Sequence, residues 1–228
     1  MDSDLPKVLH PLNGKPLLVH VIESLKKAGA DPIITVIGYK GEMVAEAVKG
    51  CSDTVYQKEQ LGTGHAVMQA RESLRDYSGP VIVACGDVPM IKPDTFKSLS
   101  RALGEPDVKA AVLVMKPDNP YGYGRVVKDK EGNFLKIVEE KDASEDQKKI
   151  QEVNTGTYAF DKEFLFEGLE KTDTNNAQRE YYLPDALNFI LGSGYRVKTL
   201  CLEDPVEGSG INSPEELLVL ENYIKTRE

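Results

Sequence analysis

Two apolar runs without a polar face, Pro80-Val81-Ile82-Val83-Ala84-Cys85 and Ala110 to Met115, constrain the fold of this chain more than any other feature. A strand with one solvated face alternates apolar and polar residues. A run that does not alternate has to be covered on both sides, as in a parallel sheet with helices packed on each face. The neighbouring segments supply such helices. Leu17, Leu18, Val21, Ile22 and Leu25 recur at three- and four-residue steps and stop at Gly29. Ile33 to Ile37 reads as a β-branched strand closed by Gly38, and Glu42 to Val48 as a helix. Thr54 to Gln57 follows as a strand, Ala66 to Leu74 and Thr95 to Leu103 as helices. This alternation predicts an α/β fold, a doubly wound and mostly parallel sheet whose ligands lie outside the carboxyl ends of the strands.

Beyond Met115 helices become rarer. Gly124 to Val127 and Phe134 to Val138, joined through Lys130-Glu131-Gly132-Asn133, read as a small β-hairpin inserted into the α/β pattern. Asp142 to Lys149 is a charged helix or a solvated loop. Thr155 to Phe160 is a strand, Leu183 to Leu191 a helix, Tyr195 to Cys201 the last strand, and Pro214 opens a final helix. With no internal repeat, one domain is expected over residues 1–212, and 213–228 as a carboxyl-terminal helix that could begin a linker.

Charge narrows the partners. Lys and Arg number 28 against 37 Asp and Glu, a formal charge of −9, the wrong sign for a surface that holds nucleic acid through its phosphates. A phosphorylated small ligand would have to be held locally, by backbone N–H groups, a few cations or a metal. Cys51, Cys85 and Cys201 form no zinc or disulfide pattern. Neither a signal peptide between Met1 and His10 nor a membrane span is visible, so a cytoplasmic protein is expected, with no membrane partner and oligomer formation left open.

Polar residues just after strands are the first candidates for a site: Gln57 with Leu61-Gly62-Thr63-Gly64-His65, then Gly86-Asp87, Glu139-Glu140-Lys141, and Gly210-Ile211-Asn212. Gly62-Thr63-Gly64 before a helix either presents N–H groups to an anion or base edge, or is a plain turn. Gly62-x-Gly64-x-x-Val67 also imitates a dinucleotide fingerprint, with Asp87 where a ribose-binding acid would stand, but Val67 is not small and the preceding strand ends too early. Asp87 suits Mg²⁺ bridging phosphate oxygens as well as it suits a turn. Lys7, after Pro6, is a phosphate clamp or a solvated lysine. His10, His20 and His65 lack metal or triad spacing and read as structural. Tyr121-Gly122-Tyr123-Gly124-Arg125 either brings backbone close to a flat ligand or makes an ordinary turn.

Taken in order, the motifs carry more than any one does. These are Leu5-Pro6-Lys7-Val8-Leu9-His10, Gly14-Lys15-Pro16, Glu59-Gln60-Leu61-Gly62-Thr63-Gly64-His65-Ala66, Gly86-Asp87-Val88-Pro89 and Gly122-Tyr123-Gly124-Arg125. Val138-Glu139-Glu140-Lys141-Asp142-Ala143, Asn154-Thr155-Gly156 and Asn175-Asn176-Ala177-Gln178-x-Glu180-Tyr181-Tyr182 complete the set. From Leu5 to about Asn212 the chain resembles the uridylyltransferase domain of the bacterial N-acetylglucosamine-1-phosphate uridylyltransferases, a Rossmann-like nucleotide-diphospho-sugar transferase fold. The resemblance implies transfer of a uridylyl group from UTP to N-acetylglucosamine 1-phosphate, giving UDP-N-acetylglucosamine, a cell-wall precursor, and pyrophosphate. It implies Mg²⁺ on Asp87 and Asn212, Lys7 on phosphate, and Gln57, Gly62 and Thr63 at uracil. Cys85, Gly86 and Asp87 would lie along the nucleotide sugar, and Gly124, Glu139 and Asn154 would grip the N-acetylglucosamine.

Three departures follow from the same resemblance. The family's Leu-Ala-Ala-Gly-x-Gly-Thr-Arg-Met strand and phosphate loop would stand before Leu5, with Met1 aligned to its final methionine, so residues 1–228 alone are expected to be less stable and catalytically poor. Bifunctional relatives continue into a β-helix acetyltransferase, and acetylation is not expected of these residues. Cys85 stands where relatives often carry a tyrosine, so its contact would be through backbone. The alternatives are a nucleotidyltransferase for another sugar 1-phosphate, a non-catalytic nucleotide-sugar binding module and, more remotely, a dinucleotide reductase.

Overall fold

Strands and helices alternate through the computed structural model, which describes residues 4–226. Met1, and with it the expected alignment to the phosphate-loop methionine, lies outside the described residues. The order is β1 (Pro11–Leu12), β2 (Lys15–Pro16), α1 (Leu17–Ala28), β3 (Ile34–Ile37), α2 (Gly41–Ala47), β4 (Asp53–Tyr56), α3 (Thr63–Met68), β5 (Pro80–Val83) and α4 (Pro93–Ala102). It continues with β6 (Val108–Met115), β7 (Arg125–Lys128), β8 (Phe134–Val138), β9 (Val153–Asp161), α5 (Lys162–Glu170), α6 (Asp185–Gly192), β10 (Arg196–Cys201) and α7 (Pro214–Lys225). No helix of the described residues is long and apolar enough to cross a membrane.

The α/β class stands, and the main sheet is mixed. Its order is β10-β6-β9-β7-β8, with β5 also on β9. β10 runs parallel to β6, while β9 lies antiparallel to β5, β6 and β7. A parallel neighbour needs a crossover of a dozen or more residues, usually a helix. The segment between β6 and β9 contains the hairpin β7–β8 and no α-helix, so the chain returns in the opposite sense. The hairpin is therefore a sheet extension, joined where Arg125 pairs with Val153, and not a separate excursion.

Alternation along β6 and β9 sorts the core into two layers. Ala110, Val112, Val114, Tyr158 and Phe160 face α5 and α6 with Leu165, Leu169, Leu187 and Ile190. Ala111, Leu113 and Ala159 face α4 with Phe96 and Leu99. β5, expected to be buried, is only half-buried. One edge pairs with β9; the other has no strand partner among the described residues, and β3 pairs only with β4. The two edges line a cavity of about 1390 Å³, walled along this stretch by Val21, Ile34, Val36, Val67, Val81 and Val83.

Two helices differ from expectation. The helix expected over 66–74 begins at Thr63 and ends at Met68, followed by a separate 3-10 turn at Glu72–Leu74. Helix α5 was not expected. It starts directly from the end of β9, where the Asp161 carboxylate accepts from the N–H groups of Glu163 and Phe164, a side-chain N-cap without an intervening loop.

Arg125, on β7, is 2% exposed and pairs with Glu140 at 2.8 Å. Its guanidinium also donates to the carbonyls of Tyr123 and Lys148. Removing one member of a buried pair strands the other charge, whereas replacing both with apolar groups does not. Arg125→Leu should therefore lower unfolding free energy in urea by about 3–5 kcal/mol, and the double variant Arg125→Leu/Glu140→Leu by clearly less. Equal losses would remove the pair from the account of this loop.

Candidate functional site

The cavity extends past the carboxyl ends of β3 and β5, and three distant segments meet there. Lys7 begins a 3-10 turn, Lys7–Leu9, that packs Leu9 and Val8 against Ile37 and Val44. Asp87 follows β5, and its carbonyl accepts from the N–H of Ile211 at 3.0 Å. Ile211 is buried with Leu12, Leu17 and Leu220, which anchors the late segment beside the early one. Asn212 is held by the start of α7. Its N–H donates to Glu216 Oε2 at 2.6 Å, the Ser213 N–H does so at 3.2 Å, and Ser213 Oγ accepts from the Glu216 N–H at 3.1 Å, a complete capping box. Lys7 Nζ consequently donates to Asp87 Oδ2 and, at 2.9 Å, to Asn212 Oδ1. Two acceptor oxygens, one of them anionic, share a single cation.

The opposite wall comes from the antiparallel insertion. The Asn154 N–H donates to the Gly124 carbonyl at 2.8 Å; its side chain donates to Tyr158 Oη at 2.6 Å and accepts from the Gly156 N–H at 3.0 Å. A Cβ on Gly124 would lie 3.0 Å from Ile137 Cγ2 and 3.1 Å from Glu139 Oε1, so any other residue there would crowd the carboxylate. Burial pushes the Glu139 carboxyl above its ordinary range, and the charges of Asp142 and Asp185 add to the effect. Asp185 is raised as well, by burial and then by Asp173 and Asp142. The Cys85 thiol, facing the Gly156 carbonyl, is pushed by burial up to about 12 and stays protonated.

The Gly62 loop is built against the segment that follows α5. Gly62 has φ +110°, and a Cβ there would lie 2.7 Å from the Tyr181 carbonyl oxygen. The Gly64 N–H donates to that oxygen at 2.7 Å, the Tyr181 N–H to Leu61 at 2.8 Å, and the Leu183 N–H to Thr63 Oγ1 at 3.0 Å. Behind the loop, Gln57 Nε2 donates to the Gly62 carbonyl at 3.1 Å and lies 3.0 Å from His65 Nδ1. The glycines thus serve backbone pairing with Tyr181. The dinucleotide reading does not match this geometry, since β4 ends at Tyr56 and the helix after Gly62 is only six residues long. His20 lies against the Leu12 carbonyl, a structural contact.

Lys7, Thr63, Cys85, Gly86, Asp87, Gly124, Glu139, Asn154 and Asn212 all line the one cavity, whereas Gln57 and Gly62 stand outside its lining. Sequence reasoning took Glu140 as a post-strand candidate without its supporting role behind the wall, and missed Glu216. Glu140 binds Arg125 and also accepts from the Gly122 N–H at 3.2 Å, fixing the loop that carries Gly124. Glu216 fixes Asn212, and that contact was legible as the Ser-x-x-Glu pattern at 213–216.

A carboxyl group whose pKa is raised on folding binds more protons in the folded state, so stability falls as pH rises from its unfolded pKa through its folded one. Glu139→Gln should therefore raise the melting temperature at pH 8, with the gain shrinking as pH falls and vanishing below the ordinary carboxyl range, where Glu139 is protonated in both states. A gain independent of pH would argue against the buried charge as its source.

A family model described as "Nucleotidyl transferase" matches residues 3–205. The "Bifunctional protein GlmU" of Oceanobacillus iheyensis is 42% identical over 227 residues, covering 100% of this chain and 50% of that protein. Those of Pelotomaculum thermopropionicum and Streptococcus gordonii are 43% and 42% identical with the same coverage. The chain spans about half the length of the curated relatives it matches.

Proposed function

The chain belongs to the nucleotidyl transferase family, and we propose that its cavity transfers a uridylyl group from UTP to N-acetylglucosamine 1-phosphate, forming UDP-N-acetylglucosamine and pyrophosphate. The observation that carries the proposal is the meeting of Lys7, Asp87 and Asn212 at one cation position across sequence separations of 80 and 205 residues. Lys7 and Asp87 belong to two of the motifs on which the sequence resemblance rests, and Asn212 closes the stretch that the resemblance covers.

The donor set fits Mg²⁺. That ion takes oxygen ligands, uses one or two protein groups and completes its shell with water and phosphate oxygens. The Asp87 carboxylate and the Asn212 amide oxygen already converge on a positive charge. Bound there, Mg²⁺ would supply Lewis-acid stabilisation to the transferring phosphates. In the reaction a 1-phosphate oxygen of the sugar attacks the α-phosphorus of UTP. A new P–O bond forms as the α–β bridging P–O bond breaks in line, and pyrophosphate departs.

The chain's own groups position and neutralise. Lys7 offers its ammonium to phosphate oxygens. Glu139, Asn154 and the Gly124 backbone face the acceptor sugar, with a carboxylate and an amide to meet its hydroxyl and acetamido groups. Thr63, on the cavity lining, faces the base, and Gln57 acts from behind by bracing the loop that carries it through its bond to the Gly62 carbonyl. On this reading the chain works in the cytoplasm, in the synthesis of a cell-wall precursor.

With Mg²⁺ and UTP, pyrophosphate should appear only when N-acetylglucosamine 1-phosphate is added, and Asp87→Asn should lower kcat by about 10²–10³-fold. Absence of sugar-dependent release, or release indifferent to Asp87→Asn, would reject the proposal.

A further inference from the structure

We propose that the Lys7 ammonium occupies the seat of the divalent cation in the ligand-free protein, so that cation binding requires Lys7 to leave and frees it for phosphate. This rests on the reading of Asp87 and Asn212 as the cation-holding pair. The ammonium bridges the same two oxygens that pair would offer, and among the described residues no other cation reaches them. An ion bound to both oxygens at about 2.1 Å would overlap the ammonium's position, and two cations do not share so short a bridge.

The two partners differ in freedom. Asp87 is 20% exposed, and its backbone is tied to Ile211; Asn212 is tied to Glu216 through the capping box. Lys7 reaches the pair on a four-carbon stem, and its side chain is 40% exposed. The two oxygens are therefore carried on fixed backbone, one short side chain away, and the ammonium is the more movable partner.

Occupancy by the ammonium lowers the apparent affinity for the ion in proportion to the time the seat is closed. A phosphate that captures the displaced ammonium tightens cation binding, and by linkage the cation tightens phosphate binding equally. One lysine thus couples the two ligands without any change in the backbone.

The test uses Mn²⁺ alone, read by its paramagnetic resonance signal, at about 0.15 M salt so that distant charges are screened. Lys7→Met should bind Mn²⁺ about tenfold tighter or more than wild type. Lys40→Met removes the same charge from a pair with Asp4 and should stay within about twofold of wild type. Adding Asp87→Asn to Lys7→Met should abolish the tight site, and melting curves check that each variant is folded. If wild type and Lys7→Met bind Mn²⁺ equally and both lose it with Asp87→Asn, the exchange is wrong while the cation pair stands. Tight binding that survives Asp87→Asn, or no Mn²⁺ binding in any variant, overturns the exchange together with the pair. Sugar-dependent pyrophosphate release separately decides the reaction.

Discussion

The pairing of β9 antiparallel between β5 and β6 is the constraint from which both the core and the cavity follow. Its upper half, Tyr158 to Asp161, zips to β5 and β6, while Val153 and Asn154 pair with β6 and touch β7. The strand therefore delivers Asn154 to the cavity wall at one end and launches the capped helix α5 at the other. Had the chain crossed over through a helix after β6, no edge would have been left to receive the hairpin, and Gly124 and Glu139, which flank it, would have no common wall with Asp87. The site is a by-product of a reversal in strand direction.

Charge is distributed against the net value. The chain is acidic overall, so its field does not gather phosphates. Lys7 lines the cavity and is paired with Asp87 and Asn212. Glu139 lines it too, and its carboxyl is raised by burial and by the charges of Asp142 and Asp185. A lining that carries both groups suits a ligand with phosphates and with neutral hydroxyl or N–H donors. A buried carboxylate accepts strongly from such donors and repels a second anion.

Sequence reasoning reached those features whose cause is local. Helix α1 was legible because its apolar period is unbroken and Gly29 ends it in the left-handed conformation at φ +91°. β6 was legible because a long apolar run has no other use. Helix α5 was not, because it follows a strand without a break, and Phe164 and Phe166 alternate as strand residues do. The half-exposure of β5 was not, because an apolar run says that it requires cover and not on which edge the cover comes. The candidate site was legible as a set of post-strand residues. That Lys7, Asp87 and Asn212 meet depends on Ile211 donating to the Asp87 carbonyl, a long-range contact with no local signature.

The polar groups around Lys7 and around Glu139 are held in opposite conditions. At Lys7 the charges are satisfied by one another, so a ligand or ion gains there only the difference between its own contacts and those it breaks. At Glu139 no donor among the described residues reaches the carboxylate, which is partly desolvated and set among like charges. A hydroxyl or N–H arriving there relieves an existing penalty and displaces no partner. Selectivity is therefore built more readily around Glu139: an analogue lacking the donor leaves a partly buried carboxylate unmet, which costs more than a lost neutral contact. Lys7, already paired, discriminates less by shape than by charge, since only a ligand bringing both phosphate and cation replaces everything it removes.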